Sequence, residues 1–303
     1  TIDATRKANS GHPGAAMALA PVAYTLYKKI MNHNPKNPSW INRDRFILSN
    51  GHASMLLYSI LHLSGYNISL EDIKNFRQWN SKTPGHPEHN LDLGVETTTG
   101  PLGQGFMNGI GMALAEAHLA EKFNKDDFPV LDYYNYVLCS DGDLMEGASH
   151  EAASLAGHLG LDKMIAIYDD NHISIEGPTE LAYSDDVEQR FKSYNWHVQN
   201  LGEKANDIEA ITEALENAKA EKDRPSIIMI RTHIGYGSPN MQDTSDVHGA
   251  PLDEDEIKLT KENYGWPADK KFYVPDKVKE HMSEVVPRGK KREAEWNELW
   301  KKY

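Results

Sequence analysis

The segment 134–171, Tyr134-NYVLCSDGDLMEGASHEAASLAGHLGLDKMIAIYDD-Asn171, decides the fold. It opens on one apolar run, Tyr134–Ser140, and closes on another, Met164–Tyr168. Short apolar runs bounded by turn residues read as buried strands of a parallel sheet. Between them, Glu146–Leu159 reads as a helix rich in small residues. Each strand ends in a polar turn, Ser140-Asp141-Gly142-Asp143 after the first and Asp169-Asp170-Asn171 after the second. Neighbouring parallel strands put both turns on the carboxyl edge of the sheet, where α/β folds bind ligands. Asp141 and Asn171 are then placed to offer oxygens to one hard cation. Mg²⁺ takes one or two protein carboxylates and completes its shell with phosphate and water oxygens. Asp-Gly and Asp-Asn are also ordinary turn residues. Their place at the ends of consecutive strands favours the metal.

The alternation continues outward. Downstream come a helix over Val187–Tyr194, a strand over Trp196–Val198, a helix over Ile208–Glu221 and a strand over Ser226–Ile230. Upstream, helical spacing runs through Ala15–Asn32, Ala53–Leu63 and Ser69–Gln78. A short strand lies at Arg45–Ser49, and Ser69 and Asp72 stand at capping-box spacing. Residues 79–99 form a long polar stretch, a length that marks a functional or disordered loop. The helix predicted over Gly103–Phe123 contains Gly105, Gly109 and Gly111, each costing roughly 1 kcal/mol in a helix. Something is therefore expected to pack very close to it. The rhythm predicts an α/β fold, a doubly wound, mostly parallel sheet flanked by helices. Beyond Pro251 the chain is charged and less patterned. Val286–Tyr303, with Trp296 and Trp300, reads as a docking helix or the start of a linker.

Composition narrows the function classes. The net charge of -13 argues against a nucleic-acid partner. No run approaches the roughly 18 apolar residues of a membrane span. A single cysteine, Cys139, excludes a disulfide framework and a Cys-rich zinc site, and suits a reducing compartment such as the cytoplasm. No H-E-x-x-H zinc motif and no G-x-S-x-G nucleophile elbow is present. The 303 residues begin at Thr1 rather than Met, so the length itself is open to question.

Four of the fourteen histidines share one framing: Gly11-His12-Pro13, Gly51-His52-Ala53, Gly85-His86-Pro87 and His248-Gly249. Glycine permits close approach of backbone and ligand, and neutral histidine exchanges protons near pH 7. Single loop histidines are usually just solvated; four framed alike point to a shared site. Thr98-Thr99-Gly100-Pro101-Leu102-Gly103-Gln104-Gly105 adds a glycine-rich loop before a helix. It is neither a Walker A loop nor a G-x-G-x-x-G fingerprint. Taken alone it is weak evidence for anion binding through free N–H groups, and its carbonyls would serve a cofactor with amino groups equally well.

Together these stretches resemble transketolase. The residues that carry the resemblance are Ser10-Gly11-His12-Pro13-Gly14, Asn50-Gly51-His52, Thr83-Pro84-Gly85-His86-Pro87-Glu88, Gly100–Gly105, Asp141-Gly142 with Asn171, Asp143–Gly147, Ile234-Gly235-Tyr236-Gly237 and His248–Pro251. The likeness runs from Thr1 to about Val274. Residues 1–274 would be the thiamine diphosphate-binding (PP) domain, and 275–303 an extension towards a pyrimidine-binding domain that the sequence lacks.

The resemblance implies that Asp141, Asn171 and the Ile173 carbonyl ligate Mg²⁺ or Ca²⁺. Gly142, His52 and His248 would hold the diphosphate. Gly100 and Leu102 would meet the aminopyrimidine, and Ile175 would pack on the cofactor. His12, His86 and His248 would bind sugar phosphate and move protons. Glu146 and Glu151 would lie at the interface of a homodimer whose active site is shared between subunits, with Glu146 coupling the paired cofactors. Ser140 departs from the family, standing where a glycine is usual. The implied reaction is ketol transfer from xylulose 5-phosphate to ribose 5-phosphate or erythrose 4-phosphate, in the pentose phosphate pathway. A related thiamine enzyme (dihydroxyacetone synthase or phosphoketolase) is one alternative. A non-catalytic cofactor-binding and dimerisation fragment, or a subunit of a split enzyme, is another. The expectation is that the chain is the amino-terminal part of a longer transketolase.

Overall fold

The structure is a computed structural model and describes residues 1–303. Five strands build the sheet: β1 (Arg45–Leu48), β2 (Asn135–Ser140), β3 (Met164–Asp170), β4 (His197–Asn200) and β5 (Ser226–Arg231). Every pairing in it is parallel, and the spatial order is β1-β2-β3-β5-β4. The expected α/β architecture is present. The apolar runs read as buried strands because both sheet faces are covered. Along β2, Tyr136 and Leu138 enter a core shared with helices Ser54–Ser64 and Ile208–Ala220. Val137 and Cys139 point the other way, towards Phe106, Phe191 and Trp196. Two-residue alternation therefore splits one apolar run between two cores.

Several boundaries differ from the sequence reading for identifiable reasons. The helix predicted over Ala15–Asn32 is segmented into Gly14–Ala18, Ala20–Tyr24 and a π-helical turn, Thr25–Ile30. Pro21 lacks the N–H that would continue the ladder, and the Thr25 hydroxyl donates to its carbonyl at 2.8 Å. The helix expected over Ser69–Gln78 stops at Lys74, although its capping box is formed. Arg77 then takes φ 60°, a left-handed turn that ends helical continuation. Val285–Lys302 is helical, as one of its two readings had it. Arg288 donates to the carbonyls of Tyr27 and Lys28, capping the π-turn, and Glu293 accepts from Asn34 and Asn37. Helices at Ile2–Ala8, Glu254–Asn263 and Asp276–Ser283 lay outside the sequence reading.

The three glycines of the helix Gln104–Phe123 divide. A Cβ on Gly105 would sit 2.5 Å from the Ser49 Cα, and one on Gly109 would collide with Val137. Gly111 faces open space, so the expected close neighbour is absent there. Gly109→Ala should therefore destabilise the protein. Overpacking costs about 1–3 kcal/mol, against a gain of roughly 1 kcal/mol in helix propensity. A lowered thermal midpoint is expected; a raised one would contradict this packing.

Candidate functional site

The polar turns after β2 and β3 meet at the carboxyl edge. Ser140 pairs in register with Asp169, which puts Asp141 beside the Asp169–Asn171 turn. The Tyr168 hydroxyl donates to one oxygen of Asp141 and, at 3.3 Å, to Asp170. The second Asp141 oxygen is buried with no partner. Burial pushes the Asp141 carboxyl up to about 7, with Asp169 and Asp170 adding to the rise against the Tyr168 hydrogen bond. A buried carboxylate with a free oxygen is what a cation would satisfy.

Asn171, in the neighbouring turn, is held by hydrogen bonds on both sides of its amide. Its Nδ2 donates to Asp169 at 3.0 Å, and its Oδ1 accepts from the Ile173 N–H at 2.9 Å. Asp169 also accepts from the Thr232 hydroxyl, so it orients Asn171 from behind, as outer-shell groups orient metal ligands. No three His, Cys, Asp or Glu side chains are grouped to hold a metal. The residues that the resemblance names would instead offer one carboxylate, one amide and one backbone carbonyl. That set matches a hard cation sharing its shell with diphosphate.

The four framed histidines converge. Ring centroids lie 5.2 Å apart for His12–His52, 6.3 Å for His12–His86, 5.8 Å for His12–His248 and 5.0 Å for His52–His248. Glycine-flanked loops from four separate parts of the chain bring them there. Burial lowers all four; nearby imidazoles add to the effect at His12 and His52, and Arg77 at His12 and His86. His12 is pushed down to about 4. All four are therefore neutral near pH 7. Each takes up its proton in the unfolded chain at a higher pH than in the native one, so acidification below about 6.5 favours unfolding through these groups. The NMR titration of the His12 ring should have its midpoint near pH 4; a midpoint at 6.5 or above would contradict the burial of the cluster.

Arg77 belongs to this site and was missed in the sequence, where it sat inside a predicted helix. It donates to Ser10 Oγ at 2.7 Å and approaches His12 Nδ1 at 3.4 Å. A guanidinium only donates, so His12 Nδ1 accepts and the ring proton sits on Nε2. A cleft of about 680 Å³ opens beside it, lined by Arg77, Trp79, His86, Glu88 and Thr99 among others.

The glycine-rich loop closes the cradle. A Cβ on Gly51 would meet Thr99 Oγ1 at 2.6 Å, and one on Gly142 would meet Leu102 at 2.6 Å. Gly100, with φ 149°, lies against the His86 ring. The Gly51-His52 turn, the Gly100–Leu102 loop and the Asp141-Gly142 turn therefore touch. His248 Nδ1, Thr99 Oγ1 and the Asn50 amide are buried without partners in the same region. Ile175 is exposed, its tip 4.0 Å from a Cβ placed on Gly249. Ile173 begins a two-residue ribbon with Gly177-Pro178 just beyond Asn171. Glu146 precedes the helix Gly147–His158, without a side-chain capping hydrogen bond, and packs on Gly103; Glu151 is exposed on that helix.

The comparisons with known proteins agree with this geometry. A family model described as "Transketolase, thiamine diphosphate binding domain" matches residues 1–303. The transketolase of Halalkalibacterium halodurans is 55% identical over 303 residues, which are all of this chain and 45% of that protein. The chloroplastic transketolase-1 of Arabidopsis thaliana is 53% identical, with 100% of this chain and 41% of the relative covered. A crystal structure of Pichia stipitis transketolase in complex with sedoheptulose-7-phosphate superposes with a TM-score of 0.97. It is 52% identical and covers 100% of this chain and 44% of that one. Leishmania mexicana transketolase also superposes at 0.97, with 45% identity and cover of 100% and 45%. The chain thus spans less than half the length of the relatives it matches. A chain matched along its whole length in sequence and in backbone belongs to the transketolase family, as its thiamine diphosphate binding domain.

Proposed function

We propose that this chain grips thiamine diphosphate and a divalent cation, Mg²⁺ or Ca²⁺, for transketolase chemistry. The reaction is reversible transfer of a two-carbon ketol unit from a ketose phosphate such as xylulose 5-phosphate to an aldose phosphate. The observation that carries this reading is the meeting of a buried, half-partnered Asp141 with four neutral histidines around one glycine-walled cradle.

Asp141, Asn171 and the Ile173 carbonyl would hold the cation. The Gly142 N–H, His52 and His248 would take the diphosphate, Gly100 and Leu102 the pyrimidine ring, and Ile175 would cover it. When bound, the cofactor supplies the carbon nucleophile and electron sink that breaking a carbon–carbon bond beside a ketone requires. The protein supplies binding, orientation and proton transfer. His12, His86 and His248, neutral and donor or acceptor at each ring nitrogen, would bind sugar hydroxyls and move protons.

Residues 1–274 would form the PP domain and 275–303 the extension. A pyrimidine-binding domain, on the same or a partner chain, would complete the site in a homodimer. Exposed Leu155 on the helix Gly147–His158, Leu159 just past its end and Leu114 on the adjoining helix Gln104–Phe123 support a subunit contact near Glu146 and Glu151. No helix is long and apolar enough to cross a membrane. The lone buried Cys139 suits a reducing compartment such as the cytoplasm; a named relative is chloroplastic.

The test is an assay of the natural-length protein with xylulose 5-phosphate and ribose 5-phosphate. Sedoheptulose 7-phosphate is the expected product. Acetyl phosphate in its place, or no product with cofactor and cation present, would overturn the reading.

A further inference from the structure

The buried carboxylate of Asp143 has no part in the site as described so far. It is fully buried and accepts from three segments. Its Oδ1 accepts from the Ser49 hydroxyl at 2.6 Å and the Gly103 N–H at 2.7 Å. Its Oδ2 accepts from the Ser140 N–H at 2.9 Å and faces the Ser140 hydroxyl at 3.5 Å. Behind it, the Ser149 hydroxyl donates to the Asp143 carbonyl at 2.6 Å, and Ser49 Oγ accepts from the Phe106 N–H at 2.9 Å.

Those three segments lead directly into the cradle walls. Ser49 precedes Asn50-Gly51-His52, Gly103 ends the Gly100–Leu102 loop, and Ser140 precedes Asp141-Gly142. The walls touch where glycines leave no room for a Cβ, at Gly51 against Thr99 and at Gly142 against Leu102. Contacts that close leave the spacing to whatever pins the segments from below. Charge-assisted hydrogen bonds are the strong ones, and this single carboxylate makes them to all three segments.

We infer that Asp143 is a positioning residue that sets the spacing of the cofactor cradle, and that cofactor affinity depends on it although it touches no ligand. This rests on the functional reading above. An asparagine at the position keeps the shape but puts an N–H₂ where an acceptor stands. It would face the N–H of either Gly103 or Ser140, donor against donor, and release one wall. Outer-shell changes of this kind typically cost about 10–100-fold in affinity.

The experiment is calorimetric titration of thiamine diphosphate with Mg²⁺ into the cofactor-free, natural-length protein and its Asp143→Asn variant. The temperature is one at which melting curves show both folded. The expected result is a 10–100-fold rise in Kd, turnover at saturating cofactor within about threefold of the parent, and faster hydrogen exchange at the Gly103 amide. A merely structural role would lower the melting midpoint and leave the Kd of the folded protein unchanged, which would overturn the inference. A loss confined to turnover would overturn it too. If Asp143→Asn does not fold, Ser49→Ala decides. It removes one donor to Oδ1, should raise Kd roughly fivefold, and overturns the inference if Kd is unchanged. Failure of the parent to bind would instead overturn the functional reading, and this inference with it.

Discussion

Asp141→Ala should weaken thiamine diphosphate binding in the presence of Mg²⁺ by roughly 100-fold or more, beyond the range typical of outer-shell changes. One side of the carboxylate is engaged by Tyr168, and the other is buried without a partner. Burial holds the group up to about 7, the sign of an anion lacking compensation. A cation would supply it, and alanine removes both the charge and the ligand. The same logic fixes a second readout. Deleting an uncompensated buried carboxyl relieves its desolvation cost, so the cofactor-free variant should melt no lower than the parent. Unchanged cofactor affinity would contradict the metal assignment. Lost affinity together with a collapsed melting midpoint would instead assign Asp141 a structural role.

His86→Ala should lower turnover by about 10²–10⁴-fold, the usual weight of one positioned acid or base, with little change in cofactor affinity. His86 sits on the cleft side of the cluster. Its ring lies against Gly100, and it lines the cleft with Arg77 and Trp79. Its pKa is lowered by burial first and by Arg77 second, which keeps it neutral and able to take or give a proton. His52 and His248 stack on each other at 5.0 Å, and the family resemblance gives both a phosphate role. Steady-state kinetics of the natural-length variant at saturating cofactor test this. A loss confined to cofactor affinity would move His86 into the diphosphate shell.

The sheet was legible because a parallel strand buried on both faces is apolar along most of its length, as 136–139 and 164–168 are. The adjacency of the two polar turns was legible because Asp141 and Asn171 follow consecutive strands. The histidines were legible through their glycine and proline framing, which is a backbone requirement written in the sequence. Arg77 was not, because its helical context ends three residues earlier at Lys74 and the left-handed turn carries no glycine to announce it. Asp143 stood in the sequence only as part of the turn after the strand and of the stretch Asp143–Gly147 that carries the resemblance; its partners Ser49 and Gly103 lie 94 and 40 residues away. The helix Glu254–Asn263 hid in a charged stretch. Its buried positions include Glu256 and Lys261, whose burial is offset by hydrogen bonds to Ser238, Asn240 and Asp3 that no local pattern reveals.

In the proposed cradle the cation and the cofactor bind together. This is tested most directly by titrating thiamine diphosphate into the cofactor-free, natural-length protein, with Mg²⁺ and again with the cation chelated. Saturable, stoichiometric binding with Mg²⁺ and its loss on chelation are expected. No binding in either condition, or equal affinity in both, would contradict joint binding.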